Sequence, residues 1–133
     1  MSVFLDANIL FSASAEQSNI ARFLHWLHSR KKLVTSHYAA MEAERNIIVK
    51  RPQWQEGYQT MIERLTIVPE AALTLNVKLT DKDKPILGAA VAAQCSFLIT
   101  GDKKDFGHLY WQTVGGVTVV SYLAFAEMML KKQ

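Results

Sequence analysis

Four acidic residues stand where they could converge on a single ion. Asp6 follows the apolar run Val3-Phe4-Leu5, and Asp102 follows Phe97-Leu98-Ile99-Thr100. Glu42 lies just beyond Thr35-Ser36, and Asp83 opens the stretch DKPILGAAVAA. Each carboxylate therefore falls at the end of an expected strand or in the first turns of an expected helix. In an open α/β sheet that edge is where ligands bind. Carboxylates gathered there repel one another unless a divalent cation neutralises them. The pattern suggests a Mg²⁺ or Mn²⁺ site, and phosphodiester cleavage as its chemistry.

Each acid also has an ordinary structural role to set against this one. Asp6 or Asn8 could cap the next helix, but a cap needs only one of them, which leaves the other to orient a ligand or a water. Glu42 competes with Glu44, because two residues along a helix turn about 200° and cannot face one site together. Glu42 shares its face with Tyr38 and Arg45, and periodicity alone does not choose between the two glutamates. Asp83 could cap the helix that follows, with Asp81 as a second carboxylate nearby. Asp102 sits after Thr100-Gly101, where glycine permits a close backbone approach, and Asp105 is three residues on. Lys103 and Lys104 beside them, Lys82 and Lys84 around Asp83, and Arg45 are the candidate phosphate contacts. Their plain alternative is solvated surface.

The elements that must position these residues follow from apolar patterning. Short unalternating runs at 2–5, 33–35, 66–68, 97–100 and 117–120 read as strands covered on both faces. Helices are expected through Ile9-Leu10-Phe11, over 20–29, from the Ser36 cap towards Lys50, over about 54–65, from Pro85 to Gln94, over 105–111, and from Ser121 to Lys131-Lys132. Arg51-Pro52 breaks the long helix after Glu42. Residues 70–80 read as loop with a short helix. Five strands separated by helices argue for a parallel sheet with helices on both faces. No linker or repeat divides the 133 residues, so one domain spanning 1–133 is expected.

Composition excludes several classes. The net charge of +3 is compatible with a nucleic-acid partner if the cations cluster, without requiring one. The one cysteine, Cys95, cannot form an internal disulfide and lies in an apolar run that favours burial. No apolar run reaches the roughly 18 residues of a membrane span, and the N-terminus lacks a signal-peptide pattern, so the chain reads as cytoplasmic. His25 and His28 share a helix face with no third zinc ligand in view. Trp26, Trp54 and Trp111 read as core or partner-facing residues.

On the stretches VFLDANILFSA, LVTSHYAAMEAERNI and DKDKPILGAAVAAQCSFLITGDKKDFG, the chain resembles the PIN-domain ribonucleases over essentially its whole length. That family has a strand ending in Asp with Asn two positions later, matched by Asp6 and Asn8. A Glu about six residues beyond a Ser or Thr is matched by Glu42 after Ser36, which singles it out from Glu44. The third acid, before an Ala-rich helix, is matched by Asp83. The fourth, in a strand-Thr-x-Asp motif, is matched by Thr100 and Asp102, with Asp105 a common accessory. Ala7 departs from the pattern, where Thr or Ser is more usual.

The resemblance implies a three-layer α/β/α fold around a mainly parallel five-stranded sheet. It implies Mg²⁺ or Mn²⁺ held by Asp6, Glu42, Asp83 and Asp102, with cleavage of RNA as the activity. Many bacterial relatives are VapC-like toxins inhibited by a small antitoxin, and homodimers are common among them. Competing readings are a PIN-like module that binds RNA or protein without cutting, and a haloacid-dehalogenase-type phosphatase. The phosphatase needs a second Asp where Asn8 stands. A response-regulator receiver lacks its phospho-acceptor here, since Val68-Pro69 follows the third strand.

Overall fold

The computed structural model describes residues 1–131. Strand β1 (Ser2–Leu5) is followed by α1 (Ala7–Ala13) and α2 (Asn19–Leu27), and β2 (Lys32–Ser36) by α3 (His37–Lys50). A 3₁₀ turn at Pro52–Trp54 leads into α4 (Gln55–Ile62), and β3 (Thr66–Val68) follows. After an extended segment come α5 (Lys84–Ala92), β4 (Phe97–Ile99), the short α6 (Lys103–Phe106) and a 3₁₀ turn at Gly107–Leu109. The hairpin β5 (Thr113–Val114) and β6 (Val117–Val120) precedes the closing helix α7 (Tyr122–Lys131). Lys132, expected at the end of that helix, lies outside the described residues.

The strands form one six-stranded sheet in the order β3-β2-β1-β4-β6-β5, parallel except for β5 against β6. The fold is the expected α/β arrangement with one strand more than the five anticipated. β5 has only two residues, too few for a pattern to register. It pairs through Gly115 and Gly116, whose positive φ values of 57° and 86° make the two-residue turn of a hairpin. The central strands are buried along consecutive residues, as expected where helices cover both faces. The core runs through Phe4, Leu5, Leu98 and Ile99, with Phe125 of α7 edge-on to Phe23 and Phe97.

Two helices differ from expectation. The element expected over 105–111 begins earlier, because Asp102 accepts the Asp105 N–H and caps α6 at Lys103. Residues 69–80 hold no helix and instead lie against α5. The approach is so close that a side chain at Gly88 would put its Cβ 2.1 Å from the Ala71 carbonyl. Among the described residues no helix is long and apolar enough to cross a membrane.

Candidate metal centre

The sheet order reverses around β1, since the chain pairs β2 and β3 on one side and then crosses to β4 on the other. Parallel strands leave a crevice at such a point, beyond their carboxyl ends. Asp6 and Asp102 follow the two strands that flank it. The backbone N–H of Asp6 donates to the Ile99 carbonyl at 3.1 Å, which locks the end of β1 to β4.

Asp6 is buried and fully partnered by neutral groups. Its Oδ1 accepts the Ala7 N–H at 2.7 Å, so it does cap α1. Its Oδ2 accepts the Thr100 hydroxyl at 2.7 Å and the Asn8 amide at 3.3 Å. A carboxylate offers about four lone-pair sites, so these three bonds still leave room for a cation. Thr100 also accepts the Asp102 N–H at 3.1 Å, and one hydroxyl thereby ties two of the acids together. Asn8 turns its Oδ1 to the Gly101 N–H at 2.7 Å. A Cβ at Gly101 would lie 3.3 Å from that oxygen, a tight approach that would press on Asn8.

Asp83 occupies the cap position of α5 yet makes no capping bond. Pro85 stands in the first turn and has no N–H to give, which frees the carboxylate. Asp83 instead accepts the Thr80 hydroxyl at 2.5 Å. Carboxylate oxygens of Asp83, Asp102 and Asp105 lie within 4.8 Å of one another. Asp105, anticipated as an accessory, is thus in the tightest acidic cluster. Ser36 caps α3 through the Ala39 N–H at 3.1 Å, and Glu42 then projects from the second turn into the same cleft. Glu44 does not line this cleft; burial pushes the Tyr58 hydroxyl of α4 up to about 12, and the Glu44 charge adds to it.

The cleft has a volume of about 590 Å³ and is bounded by Asp6, Glu42, Asp83 and Asp102 together with Ala7, Asn8 and Lys82. Burial pushes the Asp6 carboxyl up to about 6, against the pull of Thr100 and Ala7, with Asp83 and Glu42 adding repulsion. Burial likewise raises Asp83, and the neighbouring Asp105 raises it further. The negative charges of Asp83 and Glu42 lift the Lys82 ammonium above its usual range. Even so, the ion pairs found among the described residues are Lys84–Asp81 and Lys131–Glu127, neither of which involves a cleft acid. Lys82 feels these charges without pairing with any of them, so the clustered carboxylates keep part of their cost. Hard oxygen ligands of this kind fit Mg²⁺ or Mn²⁺.

Other expected residues fall elsewhere. Asp81 is exposed and faces Lys84 at 3.6 Å, so neither lines the cleft. Lys103 and Lys104 are exposed on α6, next to Asp102 but not on the cleft wall. Arg45 is exposed and also absent from the wall. The face of α3 that continues from Glu42 is Asn46 and Lys50, joined by Arg51, and Phe11 and Ser12 of α1 oppose it. The signal for these was available in the sequence, since 42, 46 and 50 repeat at the four-residue spacing of one helix face.

A family model described as PIN domain matches residues 2–104. A search of the curated proteins finds no match. Among solved structures, a chain in the crystal structure of VapBC2 from Rickettsia felis, bound to a DNA fragment from their promoter, superposes with a TM-score of 0.68 at 17% identity. The match covers 92% of this chain and 99% of that one. PAE2754 from Pyrobaculum aerophilum superposes with a TM-score of 0.65 at 16% identity, over 100% of this chain and 91% of its own. At such identities the two neighbours establish the shared fold. The family match spans most of the chain, and the protein belongs to the PIN-domain family, whose members are generally nucleases.

Proposed function

We propose that this protein is a metal-dependent endoribonuclease, the toxin component of a toxin–antitoxin pair acting in the cytoplasm. The observation that carries the reading is the cleft itself. In a chain of the PIN-domain family, it gathers four acids, two of them buried, none of which forms an ion pair among the described residues.

Asp6, Glu42, Asp83 and Asp102, with Asp105 beside the last two, would hold the ion. Bound there, Mg²⁺ or Mn²⁺ would supply the Lewis acidity that activates a water and offsets charge on the phosphodiester. The protein's own task is to keep its carboxylates aimed. Thr100 and Asn8 fix the Asp6 oxygens, and Thr80 fixes Asp83. Lys82 stands at the acid-lined end, where it can meet a phosphate oxygen. Ala7 lacks the hydroxyl usual at its position, but Asp6 is held without it.

The likeness to a VapBC2 chain supports a small antitoxin as partner. Met41, Ile48 and Val49 expose apolar surface along α3, which supports a homodimer. The test is incubation of labelled RNA and DNA pools with Mn²⁺, Mg²⁺ or EDTA. Internal cuts in RNA that need the metal are expected. Binding of RNA without cutting in either metal would replace the enzyme with a binding module.

A further inference from the structure

The cleft has two poles, and the cationic one has no role in holding a metal. Glu42 and Lys50 lie eight residues apart on one face of α3, about 12 Å along the helix axis. α1 follows β1 and α3 follows the neighbouring parallel strand β2, and Phe11 and Ser12 line the cleft together with Asn46 and Lys50. The cleft is therefore a trough that begins among the acids and ends at Lys50 and Arg51. Neither cation has a carboxylate within ion-pairing distance among the described residues.

Arg51 is also set in place before any ligand arrives. Its Nη1 donates to the Lys50 carbonyl at 2.8 Å, and its guanidinium lies 5.6 Å from the centre of the Trp54 ring. Trp54 in turn packs on Phe11, with ring centroids 5.2 Å apart. A guanidinium held this way keeps free N–H groups and loses little freedom on binding a phosphate.

We infer that Lys50 and Arg51 form a phosphodiester-binding subsite that holds a single RNA strand some nucleotides away from the cut. The inference rests on the nuclease reading for its substrate and deepens it. At about 3.4 Å per stacked nucleotide, about 12 Å corresponds to roughly three to four nucleotides. The pair would then act as a length gauge, favouring strands that extend from the acids to the end of the trough and giving nothing to shorter ones.

The variant Lys50→Gln/Arg51→Gln tests this, with Lys50→Arg/Arg51→Lys as the charge-preserving control. Binding of a labelled mixed-sequence single-stranded RNA is followed by anisotropy in EDTA across a salt series. Cleavage with Mn²⁺ is followed on an RNA length series and on a nitrophenyl phosphodiester too short to span the trough. The neutral variant is expected to bind RNA about tenfold more weakly or worse. Its salt slope should fall by about 1.4, since each single-strand phosphate contact contributes about 0.7. Its KM should rise for long RNA alone, with kcat, Mn²⁺ affinity and short-ester cleavage unchanged, and the charge-preserving variant should recover most of the loss. An unchanged salt slope, or an equal loss on the short ester, overturns the subsite and leaves the nuclease standing. A reduced slope in a protein that never cuts RNA keeps the subsite and removes the nuclease. If the wild type holds no RNA at all, the subsite is overturned.

Discussion

Thr80 and Thr100 do for the acids what positive charges do in most carboxylate-rich sites. Each donates a hydroxyl proton to one carboxylate, Thr100 to Asp6 and Thr80 to Asp83. Neither adds a charge that would compete with a cation. Thr80→Val should therefore leave the fold intact but weaken Mn²⁺ binding by roughly tenfold, the worth of one hydrogen bond to a charged group, with Thr80→Ser restoring it. Calorimetric titration with Mn²⁺ measures this, and equal affinities in all three proteins would remove Thr80 from the site. Asp6, Asp83 and Asp102 were legible in the sequence because strand ends and helix starts are local features. Glu42 was not separable from Glu44 by spacing. What parts them is the packing of α3, which places Glu42 on the cleft wall and leaves Glu44 off it. Asp81, read as an accessory acid, and Lys84, read as a phosphate contact, instead face each other at the surface.

At the scale of elements, the segment 69–80 decides how α5 presents Asp83. It has no regular structure and no periodicity, so nothing in its residues announced where it would lie. Its path is set by contact, with the Ala71 carbonyl resting where Gly88 has no side chain. Gly88→Ala forces backbone against backbone, and neither can yield by a rotamer change. A loss of about 1–3 kcal/mol or more in denaturant unfolding is expected, together with weaker Mn²⁺ binding as α5 shifts. Unaltered stability would mean that the segment moves away without cost. The same reasoning explains β5. Two residues carry no pattern, and their strand exists only because Gly115-Gly116 folds them back onto β6. The longer strands and the capped helices were legible because burial on both faces and Ser caps are written into their own residues.

For the whole molecule, the gathered acids are a cost that the metal-free fold carries. Asp6 titrates near 6 when folded against an ordinary value of 3.8, so its burial favours the protonated form. The sign is the reverse of a salt-bridged carboxylate. Its contribution to the stability of metal-free protein is highest at low pH, declines as pH rises through the window from 3.8 to 6, and is lost above it. The full shift corresponds to about 3 kcal/mol. Metal-free Asp6→Asn should therefore be more stable than wild type at about pH 7.5 by up to that amount, and the gap should close towards pH 4. Saturating Mn²⁺ should stabilise the wild type more than the variant. Denaturant melts at the two pH values check this, and a variant less stable at both would show that Asp6 supports the fold instead of burdening it. The switch in strand order that creates the cleft was foreseeable only as a class of arrangement, since strand sequence does not record which edge the chain returns to. The measurement that tests the central claim most directly is cleavage of one labelled RNA by wild type and Asp6→Asn side by side across a Mn²⁺ titration. Cutting by the wild type that rises with Mn²⁺ and stops with EDTA, and a folded variant that does not cut, is the expected result. Equal cutting by both proteins, or cutting that survives EDTA, would contradict it.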